Sequence, residues 1–266
     1  MNININDITI TSVETISVFD PVTGAFKFTL DELQTVTVSQ SEEKTDITGK
    51  QGRKLGSLKR NKAVTISGTN GLVSGGLMEL QTGGTFETKD ATVLWADYMT
   101  VSGNQATTAF TAVGTVGNEI EHIHVKNASG VVVESLTQAA TASAGSFAYD
   151  PATKVITFAE GEIADGTEIV AFYTRKISAA VLENKSDNYS GKATMYIDAL
   201  GEDPCANVYR VQLYFPKADF NGNFELAMGD SQTVHAFEAE ALAGACGAGG
   251  TYFTYTVFGA EAADVA

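Results

Sequence analysis

Polar and apolar residues alternate with a period of two along most of the chain, as in residues 35–38 (TVTV), 63–66 (AVTI), 192–198 (KATMYID) and 207–215 (NVYRVQLYF). A strand sends successive side chains to opposite faces, so this spacing puts one face in a core and leaves the other wet. Thirty-one threonines strengthen the strand signal, because β-branched residues fit a half-buried pleated surface. Turn signals separate the runs: Asn221-Gly222, Ala128-Ser129-Gly130 and Asp165-Gly166. The pattern predicts a mainly antiparallel β protein.

One segment departs from the alternation. After Asn70, an acceptable N-cap, residues 71–82 (GLVSGGLMELQT) place Leu72, Val73, Leu77 and Leu80 near one helical face, and Gly83-Gly84 supplies a stop. Gly75 and Gly76 weaken this helix by about 1 kcal/mol each relative to alanine. Between 104 and 175 the chain reads as a small β-unit of its own, with strands near 119–126, 131–136, 154–158 and 168–174 and a loop at 139–146 (AATASAGS). The flanking segments 1–103 and 176–266 read as one discontinuous domain, and 104–175 as an insertion, which loop-closure entropy tolerates.

Length and charge narrow the classes. The 266 residues are 18% charged and 44% apolar, which excludes a disordered acidic tail and a coiled coil. Thirty-two acids against seventeen bases leave a net charge of −15, so gripping nucleic acid through its phosphates is disfavoured. Cys205 and Cys246 are too few for a disulfide scaffold, lack zinc-site spacing and read as buried thiols. The start, MNININD, has neither the basic nor the apolar region of a signal peptide, and no apolar run approaches a membrane span. No membrane partner is expected.

Charge is unevenly placed. Lys44, Lys50, Arg53, Lys54, Lys59, Arg60 and Lys62 fall within nineteen positions among Gly49, Gly52 and Gly56, while from residue 218 onward there are seven acids and no Lys or Arg. A basic loop and an acidic sheet on one chain suit self-assembly, the loop of one copy meeting the surface of the next. With little apolar area of its own, segment 41–62 is expected to be ordered mainly by contact with other subunits. On strand 233–240, Val234, Ala236, Glu238 and Glu240 share one face and His235, Phe237 and Ala239 the other, which is the better core face. In the preceding hairpin strand, Phe224, Leu226 and Met228 form the apolar side and Glu225 the wet one.

Catalytic chemistry finds little support. His122 and His124 share a strand face, a workable spacing for two metal ligands, but Glu121 points the other way and no third ligand is placed. His235 reads as a structural histidine. Asp219, Asn221, Asn223 and Asp230 match calcium-loop positions, yet Phe224 occupies the obligatory glycine position and Asp230 replaces the bidentate glutamate. The cluster 244–250 (GACGAGG) lacks a following helix and a Walker lysine, and no G-x-S-x-G elbow occurs. No catalytic residue, metal site or cofactor is nominated.

Residues 47–76 (ITGKQGRKLGSLKRNKAVTISGTNGLVSGG) and 192–244 (KATMYIDALGEDPCANVYRVQLYFPKADFNGNFELAMGDSQTVHAFEAEALAG) resemble the major tail tube proteins of tailed bacteriophages that infect Gram-positive bacteria. The resemblance implies an antiparallel β-sandwich or barrel with one short flanking helix, assembled as stacked hexameric rings around a channel for DNA. It implies a virion-tail protein assembled in the host cytoplasm, with copies of itself, tape measure and terminator proteins as partners and genomic DNA passing without specific binding. Segment 41–62 corresponds by position to a long loop that contacts neighbouring subunits or rings. The insertion departs from the minimal tube fold and is expected to face outward. Glu225, Glu238 and Glu240 are candidates for lining the channel, where like charge opposes adhesion of phosphates within about 8–10 Å in salt. The competing classes are an adhesin-like β binding module, its insertion taking host carbohydrate, and a tail-associated hydrolase, for which no residue constellation speaks.

Overall fold

The computed structural model describes residues 7–127, 129–223, 225–226, 234–243 and 250–259. Among these, fifteen strands and one helix follow in the order β1 (Thr9–Phe19), β2 (Phe26–Leu30), β3 (Leu33–Thr48), β4 (Lys54–Asn70), α1 (Gly75–Thr82), β5 (Glu87–Thr100), β6 (Gln105–Thr107), β7 (His122–Lys126), β8 (Val132–Gln138), β9 (Ser146–Asp150), β10 (Val155–Phe158), β11 (Glu168–Val181), β12 (Lys192–Glu202), β13 (Val208–Phe220), β14 (His235–Ala241) and β15 (Thr254–Gly259). The architecture is mainly β, as the alternation requires. The chain forms two compact units, Met1–Phe86 with Leu182–Ala266, and Glu87–Val181.

The first unit is built on an eight-stranded antiparallel sheet in the order β2-β1-β12-β13-β14-β4-β3, with β15 also on β13. Strand β12 shows the rule most plainly: Ala193, Met195, Ile197 and Ala199 are buried while the residues between them are not. Ala193, Met195 and Ile197 pack with Ile16, Val18, Leu30, Val64, Ile66, Phe215, Phe220 and Phe237 into one core. Besides β12, strand β13 serves two partners, pairing with β15 over Tyr209–Tyr214 and with β14 over Ala218–Phe220. Pro216 lies between the two stretches. It has no N–H to donate, and the β12–β13 register shifts there, between Ala193 and Met195.

Helix α1 is shorter than the expected 71–82 and is capped differently. Ser74, not Asn70, is the N-cap, its Oγ accepting from Leu77 N at 3.3 Å. Asn70 instead closes β4, buried, with its Nδ2 donating to Leu72 O at 2.7 Å. Leu72 and Val73 therefore precede the helix and are exposed, and only Leu77 and Leu80 of the expected face reach the core. Gly76, a defect by helix propensity, is required by packing. A Cβ there would lie 2.6 Å from the Phe28 ring, so the glycine lets α1 settle onto β2. Gly83, at φ 69°, ends the helix by donating its N–H to Glu79 O.

The second unit carries a seven-stranded sheet, β5-β11-β7-β8-β9-β10-β6, over its own core of Ile120, Ile123, Leu136, Phe147, Ile156, Ile169 and Tyr173 among others. It extends beyond the expected 104–175 at both ends. The reason is a fourteen-residue antiparallel pairing without a register break, from Thr100↔Glu168 to Glu87↔Val181, which carries β5 and β11 past those positions as one ribbon. Strand β9 was hidden behind the loop 139–146 in the sequence pattern, and its only bond to β8 is a two-residue parallel contact. Asp97 is buried between the Tyr173 hydroxyl, which donates to Oδ2 at 2.8 Å, and Ala109 N, which donates at 2.6 Å. Burial, aided by Asp97, pushes the Tyr173 phenol up to about 12.

Two smaller expectations change. Cys205 is exposed, because Asp203 organises a turn around it by accepting from Cys205 N and Asn207 N, each at 2.9 Å; Cys246 lies outside the described residues. Asn221-Gly222 does not make a two-residue hairpin to a neighbouring strand. Asn221 N returns directly to Glu238 O at 2.8 Å, so the connection from β13 to β14 runs from 221 to 234.

Candidate assembly surfaces

Segment 41–62 is a β-arm. Strands β3 and β4 pair from Leu33↔Asn70 outward to Thr48↔Lys54, and from Ser41 to Lys62 every side chain is exposed. The tip is a tight turn in which Gly49 N donates to Arg53 O at 2.7 Å and Gln51 and Gly52 take φ of 64° and 75°. Where a loop was expected, the segment is a paired ribbon. Glu42, Glu43 and Asp46 lie on the facing strand. Lys54 pairs with Asp46 at 2.6 Å, Lys59 with Glu42 at 2.7 Å and Arg60 with Glu43 at 4.0 Å. The Lys59 hydrogen bond holds the Glu42 carboxyl below its ordinary range.

The seven bases thus divide. Lys54, Lys59 and Arg60 are engaged within the arm. Lys62 lies 5.6 Å from the Tyr252 ring centroid at its root, while Lys44, Lys50 and Arg53 make no ion pair with a described residue. Seven bases against three acids leave four positive charges on the arm. Ile47, Leu55 and Leu58 are also exposed, at 52%, 60% and 52%. A ribbon with two wet faces has no core for them.

A second surface lies on the outward face of β3, β4 and β14. His235, Phe237, Ala239 and Ala241 are buried, and Glu238 and Glu240 are exposed, as their alternation demands. Cross-strand register sets the outward residues in rungs: Thr35–Thr69–Ala236, Thr37–Ser67–Glu238, and Ser39–Thr65–Glu240–Asp219. Hydroxyl pairs join the strands, Thr35 to Thr69 at 2.9 Å and Ser39 to Thr65 at 2.6 Å. Glu225 is exposed and lines a hollow with Thr37, Ser67, Thr69 and Glu238. An adjoining hollow is bordered by Glu238, Glu240 and Asp219. The three acids singled out in the sequence therefore share one surface, and no Lys or Arg among the described residues lines either hollow. Lys192, paired with Asp219 at 3.6 Å, stands at the end of the last rung. Phe224 and Met228 lie outside the described residues.

The hydroxyl rows were missed in the sequence. Their signal was there in TVTVS at 35–39 and TISGT at 65–69, where Thr or Ser recurs at every second position opposite the buried side chains. Behind this face, His235 ties the sheet to α1. Its Nδ1 accepts from Ser74 N at 3.3 Å, its Nε2 donates to Gln81 Oε1 at 2.9 Å, and Gln81 Nε2 donates to Ala236 O at 3.0 Å. Burial lowers the His235 pKa below its ordinary 6.5, so the neutral imidazole is the folded form.

His122 and His124 do lie on one strand face, their ring centroids 6.3 Å apart, with His124 Nδ1 bound to Ser135 Oγ at 2.7 Å and His122 3.6 Å from Glu121. Among the described residues no group of three or more His, Cys, Asp or Glu is placed to hold a metal ion, and no helix is long and apolar enough to cross a membrane.

A mainly β chain with a projecting two-stranded arm and a one-sided hydroxyl–carboxylate sheet face has the features of a protein organised around surfaces. The chain belongs to the YomU/Tube protein family, whose model matches residues 8–255. No curated protein matches it.

Proposed function

We propose that the chain is the structural subunit of a phage tail tube, polymerising with copies of itself as stacked hexameric rings around an electronegative channel through which DNA passes. The observation that carries this reading is the outward face of β3, β4 and β14, where hydroxyls and Glu225, Glu238 and Glu240 stand together without an intervening base. A conduit for DNA must wet the duplex without holding it. Hydroxyls keep the wall hydrated, and carboxylates repel phosphates over about a Debye length. Family membership supports the same reading.

The ends of the first sheet support assembly. Strands β2 and β3 terminate its order, and edge strands left open invite pairing with another chain. Closure into a ring through heterologous contacts removes such edges. In this arrangement the arm reaches the neighbouring subunit or ring, with Lys44, Lys50 and Arg53 meeting its acids, and Lys54, Lys59, Arg60 and Lys62 stiffening and rooting the arm. Tape measure and terminator proteins are further partners, and the virion tail is the destination after assembly in the host cytoplasm. Negative-stain microscopy of the concentrated purified protein tests the proposal. Rings or tubes of constant diameter are expected; dispersed monomers across protein concentration and salt would overturn it.

A further inference from the structure

The second unit carries an exposed aromatic patch of its own. On the outward face of β5, β11, β7 and β8 the register sets Tyr98–Val170–His124–Ser135 as one rung, and beside it pairs Ala96 with Phe172 and His122 with Thr137. Tyr98 is 68% exposed, Phe172 44%, and Leu94, one rung further, 70%. Val170, although outward, is only 4% exposed, so it forms with Ala96 a low apolar floor between the two aromatic side chains.

The aromatic groups are held. The Lys126 ammonium sits 4.4 Å from the Tyr98 ring centroid, and the His124 ring meets Phe172 edge-on at 6.0 Å. His124 Nδ1 is engaged by Ser135 Oγ at 2.7 Å, which leaves Nε2 as its other polar atom. Hydroxyls of Ser135 and Thr137 complete a polar margin on β8. Beyond the Ile169↔Val125 pair, Glu168 and Lys126 occupy the next positions of β11 and β7, which gives this face one acid and one base. That is unusual in a unit with eleven acids against five bases.

We propose that this face binds an uncharged oligosaccharide. Sugar rings present apolar C–H faces that stack on aromatic side chains and hydroxyls that both donate and accept hydrogen bonds. The patch offers the matching set: Tyr98 and Phe172 for stacking, and His122, His124, Ser135 and Thr137 for hydroxyls. Its local charge balance suits a neutral ligand. Its size argues against a protein partner: these residues over four strands span about 14 Å by 7 Å, far below the roughly 800 Å² per partner of a stable interface. The footprint is that of a short run of sugar rings.

The test applies full-length wild type, Tyr98→Ala and Phe172→Ala to a printed array of neutral and anionic oligosaccharides, after each variant is shown to melt like wild type. Both side chains are exposed, so truncation leaves the core intact. Wild type is expected to bind at least one neutral oligosaccharide, insensitively to salt, and each variant to bind it about tenfold or more weakly. A titration of the same glycan followed by the His124 ring resonances gives an independent readout, and these should shift. Absence of binding to every neutral glycan, or binding confined to anionic glycans and lost in salt, would overturn the proposal. So would loss of self-assembly in the variants, which would make the patch a contact between copies.

Discussion

Reversing the charge of the hydroxyl–carboxylate face tests the channel assignment most directly. Glu225, Glu238 and Glu240 are exposed and unburdened by packing, so a Glu225→Lys, Glu238→Lys, Glu240→Lys variant should fold with surface-level effects only. Glu240→Lys should relieve repulsion from Asp219 directly across the strand pair. Each subunit changes from three carboxylates to three ammonium groups on one surface. If the lysines of a single subunit reach phosphates, about three counterions are released, giving a slope near −2.7 in log affinity against log salt. DNA affinity should then fall about 40-fold between 50 and 200 mM salt. Co-sedimentation of assembled tubes with short duplex DNA measures this: wild type should leave DNA in the supernatant at all salts, and the variant should retain it at low salt only. Normal tubes of the variant that hold no DNA at low salt would refute the assignment, as would lysines accessible to a bulky amine reagent applied from outside the tube.

Replacing Lys44, Lys50 and Arg53 with serine should suppress polymerisation while leaving the melting temperature unchanged, because these bases make no ion pair within the described chain; polymerisation at the wild-type critical concentration would exclude them from the contact. Joining Phe86 to Leu182 by a short Gly/Ser bridge should leave the first unit folded and able to assemble, since Glu87 and Val181 are directly paired neighbours; an unfolded product by circular dichroism would show that the second unit completes the core. Protonation of His235 favours the unfolded chain, because its folded pKa is depressed while the unfolded value is near 6.5. Its contribution is thus complete above about pH 6.5 and declines as pH falls toward the folded pKa, by up to about 1.4 kcal/mol per pH unit. Denaturant melts of wild type and His235→Gln between pH 7.5 and 5.5 should show a shallower decline for the variant, and parallel curves would contradict the buried neutral assignment.

Local rules alone made the β class, the core face of β14, the single helix and the existence of an inserted β-unit legible. Each is written in residues two or four positions apart, or in a short turn sequence, and their physics acts between neighbours along the chain. His235, Phe237 and Ala239 had to face one way because a strand offers two sides and Glu238 and Glu240 needed water.

Contacts between distant segments decided the rest. Ser74 rather than Asn70 caps α1 because Asn70 is held at the end of β4, paired with Leu33 and His235. The second unit begins at Glu87 because β5 pairs with β11 along its whole length, a bond between positions up to ninety-four apart. The arm is a ribbon because β3 and β4 pair out to its tip, and only cross-strand register reveals that Glu42 and Asp46 meet Lys59 and Lys54. The acids of β14 became one surface with the hydroxyls of β3 and β4 for the same reason. Alternation tells which side of a strand a residue takes, but which strands lie beside it depends on a fold whose free energy is shared among all of them.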